Sequence, residues 1–212
     1  MRKLIVLTFV TLDGVMQAPG GPTEDASGGF KYGGWSAGYW DSFMDKVMIE
    51  QMGMPYDLLL GRKTYEIFAA YWPQVKNDPG ADKLNKAKKY VVSTTLEKLD
   101  WSNSTLVIGD VVQEIKKLKS QDGPEMHVHG SSNLLQTLLK HDLVDEFRLK
   151  IFPVTIGTGK RLFGDGTIPA SFKLLDNKTS TTGTGIIVAT YVRDGDIKTG
   201  SFDLDNASRT SS

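Results

Sequence analysis

The feature that most limits the folds open to this chain is a rhythm of short apolar runs alternating with stretches of helical period, which stops near residue 140. The runs 3–12, 57–60, 89–93, 105–108 and 126–129 are bounded by Gly, Asp, Asn or Ser and have the length and content of strands buried on both faces. Between them, Trp40, Phe43, Met44, Val47 and Met48 recur at helical spacing over 39–52. A second helix spans about 62–70 and is closed by Tyr71-Trp72-Pro73, while Val112, Ile115 and Leu118 line one face of a third over 111–119. Gly130-Ser131-Ser132 opens a fourth, which runs through Leu134, Leu135, Leu138 and Leu139. Asn77-Asp78-Pro79-Gly80 reads as a turn cluster. Strands that alternate with helices require crossover connections and therefore parallel pairing. After Asp145 the helices are gone, and 146–152, 172–180 and 186–192 read as strands, the last pair joined at Thr182-Gly183-Thr184-Gly185. The expectation is one α/β domain over 1–195, with a mixed, mostly parallel sheet of eight strands, four helices and an antiparallel C-terminal edge, followed by a polar tail over 196–212.

With 212 residues, 40% of them hydrophobic, the chain can build one well-formed core. The 25 basic and 25 acidic residues cancel, so no global field favours nucleic acid or an anionic membrane, and any anion site must be local. Zero cysteines exclude disulfides, thiolate metal sites and a cysteine nucleophile. Met1-Arg2-Lys3 before Leu4–Val10 imitates a signal peptide, but Thr8 interrupts the run and Thr11, Asp13 and Gly14 follow where a longer apolar region is needed. No run approaches the roughly 20 residues of a spanning helix. The expected location is the cytoplasm.

Four stretches are candidates for chemistry. In Asp57-Leu58-Leu59-Leu60-Gly61-Arg62-Lys63-Thr64-Tyr65 a strand runs through a glycine into a basic helix start, where unpaired N–H groups and the positive end of the dipole can seat an anion. The same residues also suit an ordinary strand-to-helix corner with solvated charges. The segment from Asp13 to about Gly38 is longer than a plain connection and carries Phe30, Tyr32 and Trp35, with Tyr39 and Trp40 close behind, so it has the material of a lid or binding loop. His127 and His129 share one strand face, but no cysteine or acid at ligand spacing completes a metal set, and no metal is expected. Gly157-Thr158-Gly159-Lys160-Arg161 lacks the Ser/Thr and the first glycine of a P-loop and reads as a tight loop.

The order of Thr11-Leu12-Asp13-Gly14, Leu60-Gly61-Arg62-Lys63-Thr64-Tyr65, Val91-Val92-Ser93-Thr94-Thr95 and His129-Gly130-Ser131-Ser132 resembles the dihydrofolate reductase fold. Leu143-Val144-Asp145-Glu146 with Phe152-Pro153-Val154, Gly157-Thr158-Gly159-Lys160 and Leu162-Phe163 is similar to the branch that holds the reductase domain of bacterial riboflavin biosynthesis and many stand-alone reductases. The resemblance covers about 2–193 and implies a three-layer dihydrofolate reductase-like fold, NADPH as cofactor and a homodimer.

By the same resemblance Gly61, Arg62, Lys63 and Thr64 match the helix start that meets the adenosine 2′-phosphate and diphosphate. Ser93 and Thr94 match the polar strand end beside the adenosine, and Gly130, Ser131, Ser132 and Asn133 the turn that aims a second helix at the diphosphate. A second glycine is commonly found where Ser131 stands. Met16 matches the loop that meets the nicotinamide. Asp41 matches best the acid that anchors a pterin, with Asp45 one turn on; either also suits a helix start as a plain favourable charge. The implied activity is an NADPH-dependent hydride transfer to a small heterocyclic or carbonyl substrate. Reduction of the ribosylaminopyrimidine of riboflavin synthesis, dihydrofolate reduction, and dinucleotide binding without turnover are the alternatives. The riboflavin deaminase that often accompanies such a domain needs a histidine, a glutamate and two cysteines for zinc; with no cysteine here, only the reductase half fits.

Overall fold

A computed structural model describes residues 1–202. The strands are β1 (Leu4–Thr11), β2 (Tyr56–Gly61), β3 (Lys89–Val92), β4 (Ser104–Val107), β5 (Glu125–His129), β6 (Glu146–Phe152), β7 (Phe172–Thr179) and β8 (Ile187–Arg193). They form one sheet in the order β4-β3-β2-β5-β1-β6-β8-β7. The first six are parallel; β6, β8 and β7 pair antiparallel, as the change of rhythm after Asp145 requires. The helices are α1 (Ser42–Gln51), α2 (Arg62–Tyr71), α3 (Pro79–Lys86), α4 (Val111–Ser120) and α5 (Ser132–Lys140). None is long and apolar enough to cross a membrane.

Five α-helices among the described residues, rather than four, correct the sequence expectation, and the additional one is α3. Pro79 occupies its first turn, and the Asp78 side chain accepts from the Ala81 N–H at 2.7 Å. A proline just inside a helix start costs no hydrogen bond, and an aspartate before it caps a free N–H, so the turn cluster is a helix opening. The polar tail expected over 196–212 lies, from residue 203 onward, outside the described residues.

Period-two alternation sorts the strand side chains between two helical layers. Leu4, Val6, Leu59, Met126 and Val128 pack with Ile115 of α4 and Leu134, Leu135 and Leu138 of α5. Leu58 and Leu60 turn the other way, to Tyr65 of α2 and Leu84 of α3, while Met44 and Val47 of α1 cover Phe152 and Val188. This is a three-layer α/β arrangement with the sheet between. Every residue of β1 except Phe9 is buried, because both of its faces are covered.

The connections place the functional edge. From β1 the chain steps outward to β2, β3 and β4, then returns to insert β5 between β2 and β1. The reversal opens a crevice at the carboxyl ends of β2, β5 and β1, where an open α/β sheet seats ligands.

Candidate functional site

A cleft of about 750 Å³ lies along that edge. Two helix starts meet on one wall: α2 begins directly after Gly61, and α5 directly after Gly130-Ser131. The two corners are hydrogen-bonded to each other. Ser131 donates its backbone N–H to Thr64 Oγ1 at 2.9 Å, and Gly61 donates its own to Ser131 Oγ at 2.9 Å. Gly130 and Ser131 have φ of 58° and 60°, a left-handed pair that turns the chain sharply from β5 into α5. Glycine meets this without strain, whereas Ser131 adopts it with a side chain present.

All eleven residues proposed for the dinucleotide (Met16, Gly61, Arg62, Lys63, Thr64, Ser93, Thr94, Gly130, Ser131, Ser132 and Asn133) line this one cleft. Some are partly engaged within the chain. Arg62 pairs with Glu66 at 3.0 Å, both half exposed, a solvated contact that a ligand can displace. The Ser93 hydroxyl accepts from the N–H groups of Thr95 and Leu96, fixing the bend after β3. Lys63 is held at 2.8 Å by Asp25.

Asp41 is not brought to the cleft. Its carboxylate caps α1 through the Met44 N–H at 2.9 Å and also accepts from the hydroxyls of Thr182, Ser180 and Thr184 in the β7–β8 turn. Those bonds, that of Thr182 foremost, hold it well below the usual carboxylate range. Asp45 accepts from Trp40 Nε1 at 2.8 Å and does not line the cleft either. The position on the first helix expected to anchor a substrate instead ties α1 to the distal hairpin.

The segment after β1 folds back over the cleft and is pinned there. Its Val15, Ala18 and Phe30 form a small core of their own. Gln17 donates to the carbonyls of Asp25 and Ser27 and accepts from the Lys160 N–H. Asp25, in turn, holds Lys63 and Lys160, the latter at 2.6 Å. Burial alone would raise the Asp25 carboxyl, but the bonds from Lys160, Lys63 and Ser27 hold it well below its ordinary range. This loop contact joins the α2 start to the 157–161 turn, and no local pattern announces it, because the three residues are far apart in the chain.

At the opposite end of the cleft are Thr8, Phe9, Trp40 and Lys150, none of them picked out by the motifs. Lys150 is 1% exposed on β6, beside Phe9 in the β1–β6 register. A charge alternating inward between Arg148 and Phe152 is the signal that would have marked it. His127 stacks on Tyr56 at 4.6 Å and is pushed down to about 3 by burial, with Arg148 and Lys150 adding to the shift. His129 lies beneath the Gly130 turn and lines the cleft; burial also lowers it well below its ordinary value, so both rings are neutral.

The RibD C-terminal domain family matches residues 2–188 of the chain. The Bacillus subtilis (strain 168) protein YyaP is 30% identical over 197 residues, covering 88% of this chain and 94% of its own. Among solved structures, a putative riboflavin biosynthesis protein from Shewanella sp. PV-4 superposes with a TM-score of 0.69 at 23% identity, covering 91% of this chain and 99% of its own. Dihydrofolate reductase from Enterococcus faecalis, complexed with NADP(H) and RAB-propyl, superposes with a TM-score of 0.57 at 13% identity over 91% of this chain and 96% of its own.

Proposed function

The chain belongs to the RibD C-terminal domain family and has a dihydrofolate reductase-like fold, and from that premise we propose that it is an NADPH-dependent reductase of a small heterocyclic or carbonyl substrate. The observation that carries this reading is the pair of helix starts, α2 and α5, cross-bonded through Thr64, Ser131 and Gly61 on one wall of a single cleft. Two helix N-termini, with the Arg62 guanidinium and the hydroxyls of Thr64, Ser131 and Ser132, make a donor set suited to a diphosphate and an adjacent phosphomonoester. The donors present therefore fit the cofactor.

Arg62 and Thr64 would hold the phosphates, Ser93 and Thr94 the adenosine end, and Met16 the nicotinamide end. The bound cofactor supplies a hydride. The chain itself orients the acceptor and, through the segment pinned by Gln17 and Asp25, excludes water from it.

Fluorescence titration with NADPH and NADH, followed by NADPH oxidation at 340 nm, tests the reading. Panel members are dihydrofolate, the ribosylaminopyrimidine of riboflavin synthesis, aldehydes, ketones and cyclic imines. Arg62→Ala is expected to weaken NADPH about tenfold or more and NADH little, because only NADPH carries the 2′-phosphate that the guanidinium can grip. Equal losses for both would remove Arg62 from the phosphate. No binding of either dinucleotide by the wild-type protein would overturn the cofactor assignment.

A further inference from the structure

Lys150 is expensive to bury, and among the described residues only the face of the Phe9 ring offsets its charge. It is 1% exposed, and among the described residues its ammonium makes no hydrogen bond and no ion pair. Its Nζ lies 5.7 Å from the centroid of the Phe9 ring. The contrast with the other fully buried lysine is direct. Lys89 Nζ donates to the carbonyls of Asn85 and Ser102 at 2.7 and 3.0 Å and sits 4.1 Å over Trp101. Lys119, 8% exposed, is likewise bound to the Leu143 carbonyl and to Asp145. A buried amine without a partner costs stability, so a residue kept there is placed for something that arrives from outside. Lys150 lines the cleft, so that partner is a ligand of the cleft.

Its position identifies which part of the ligand. The phosphate-type donors stand at the ends of β2 and β5 and the adenosine-type end at β3, whereas Lys150 is on β6. Four strand steps separate β3 from β6, about 19 Å at a spacing of about 4.8 Å. No carboxylic acid shares this end of the cleft, since Asp41 and Asp45 are committed elsewhere and Glu24 and Asp25 belong to the loop on the phosphate side.

Resting on the reductase reading, we propose that Lys150 is the residue that contacts the substrate at its reducible C=O or C=N group and delivers the proton that completes the reduction. The acceptor carbon takes hydride, with its electron pair, from C4 of the dihydronicotinamide, which is thereby oxidised to the pyridinium. The π pair of C=O or C=N moves onto the heteroatom, which takes a proton from Lys150 Nζ. The ammonium becomes a neutral amine, and water reprotonates it. Burial, followed by the Arg148 charge, pushes Lys150 down to about 7, which suits proton donation near neutrality. The charged and titratable groups that face it are His127 and His129 on β5 and Arg148 on β6. On the remaining sides β1 presents Phe9, β8 pairs Val188 with Lys150, and α1 brings Met48 to the same cleft.

The test uses the full chain with Lys150→Met and Lys150→Arg. Lys150→Met should leave NADPH affinity within about twofold of wild type. On whichever panel compound the wild type reduces, it should lower kcat at least about 100-fold with a smaller change in KM, and the limb of the pH profile near 7 should disappear. Lys150→Arg should retain the contact but not the limb. Lys150→Met should also melt no lower than wild type. The sign with pH follows from the lowered pKa: between about 7 and 10.5 only the unfolded wild type holds this proton, so wild-type stability rises with pH across that window relative to Lys150→Met. Unchanged kcat and pH profile in Lys150→Met, or a fall in its melting temperature that accounts for lost activity, would overturn the proposal. NADPH binding by the wild type with no panel compound reduced would also overturn it while leaving dinucleotide binding intact. Absence of NADPH binding would sink the reductase reading first.

Discussion

Ser131 sets the geometry of the wall where α2 and α5 begin through two opposed contributions. Its left-handed backbone, φ 60°, costs a residue with a side chain roughly 1–2 kcal/mol, while its Oγ satisfies the Gly61 N–H. Ser131→Gly is expected to be near neutral in urea unfolding, since relief of strain offsets the lost bond. Ser131→Ala keeps the strain and loses the bond, and should cost about 1 kcal/mol and weaken NADPH severalfold. If Ser131→Ala costs nothing, the Oγ bond is not what joins the corners; if Ala and Gly behave alike, the left-handed backbone carries no strain. At this scale the sequence was partly readable. Gly61, Arg62 and Thr64 are neighbours in the chain, so their convergence at one helix start is a local fact. The inward pointing of Lys150 was readable only as a charge in an apolar strand, because what surrounds its amine comes largely from β1 and β5.

Among the elements, α1 departs most from its expected role. Asp41 at its start is bound by three hydroxyls of the 180–184 turn, so the helix is a strut between the cleft wall and the antiparallel edge. Asp41→Asn should lower the melting temperature at neutral pH and leave NADPH affinity unchanged. Because the folded carboxyl lies well below its usual range, its contribution is complete above the ordinary carboxylate value and is lost as pH falls through the folded pKa, so the variant and wild type should converge in strong acid. Loss of substrate turnover without loss of stability would instead return Asp41 to the substrate. The third helix carries a second lesson. Asp78-Pro79 is equally a turn and a capped helix start, and Ala81 and Leu84, buried against the β2–β3 face, decide between them.

For the whole molecule, one continuous sheet with helices on both faces predicts a single cooperative transition that a ligand of the cleft shifts as a unit. NADPH at about 100 times its Kd should add about 2.7 kcal/mol and raise the melting temperature of a chain this size by about 5–10 °C. A shift confined to one of two separate transitions would mean that the cleft does not couple to the full sheet. The alternation of strands and helices was enough to establish the parallel sheet, its antiparallel edge and the two helix starts that meet at one cleft, because period, turn residues and helix starts act within a few residues. Folding alone decided that Asp25 joins Lys63 to Lys160, that Asp41 accepts from the 180–184 turn, and that Lys150 is buried with no hydrogen bond to its amine among the described residues. Those outcomes depend on groups distant in the chain, and the burial that fixes their chemistry exists only once strands inserted out of sequence order, β5 between β2 and β1, have closed the sheet.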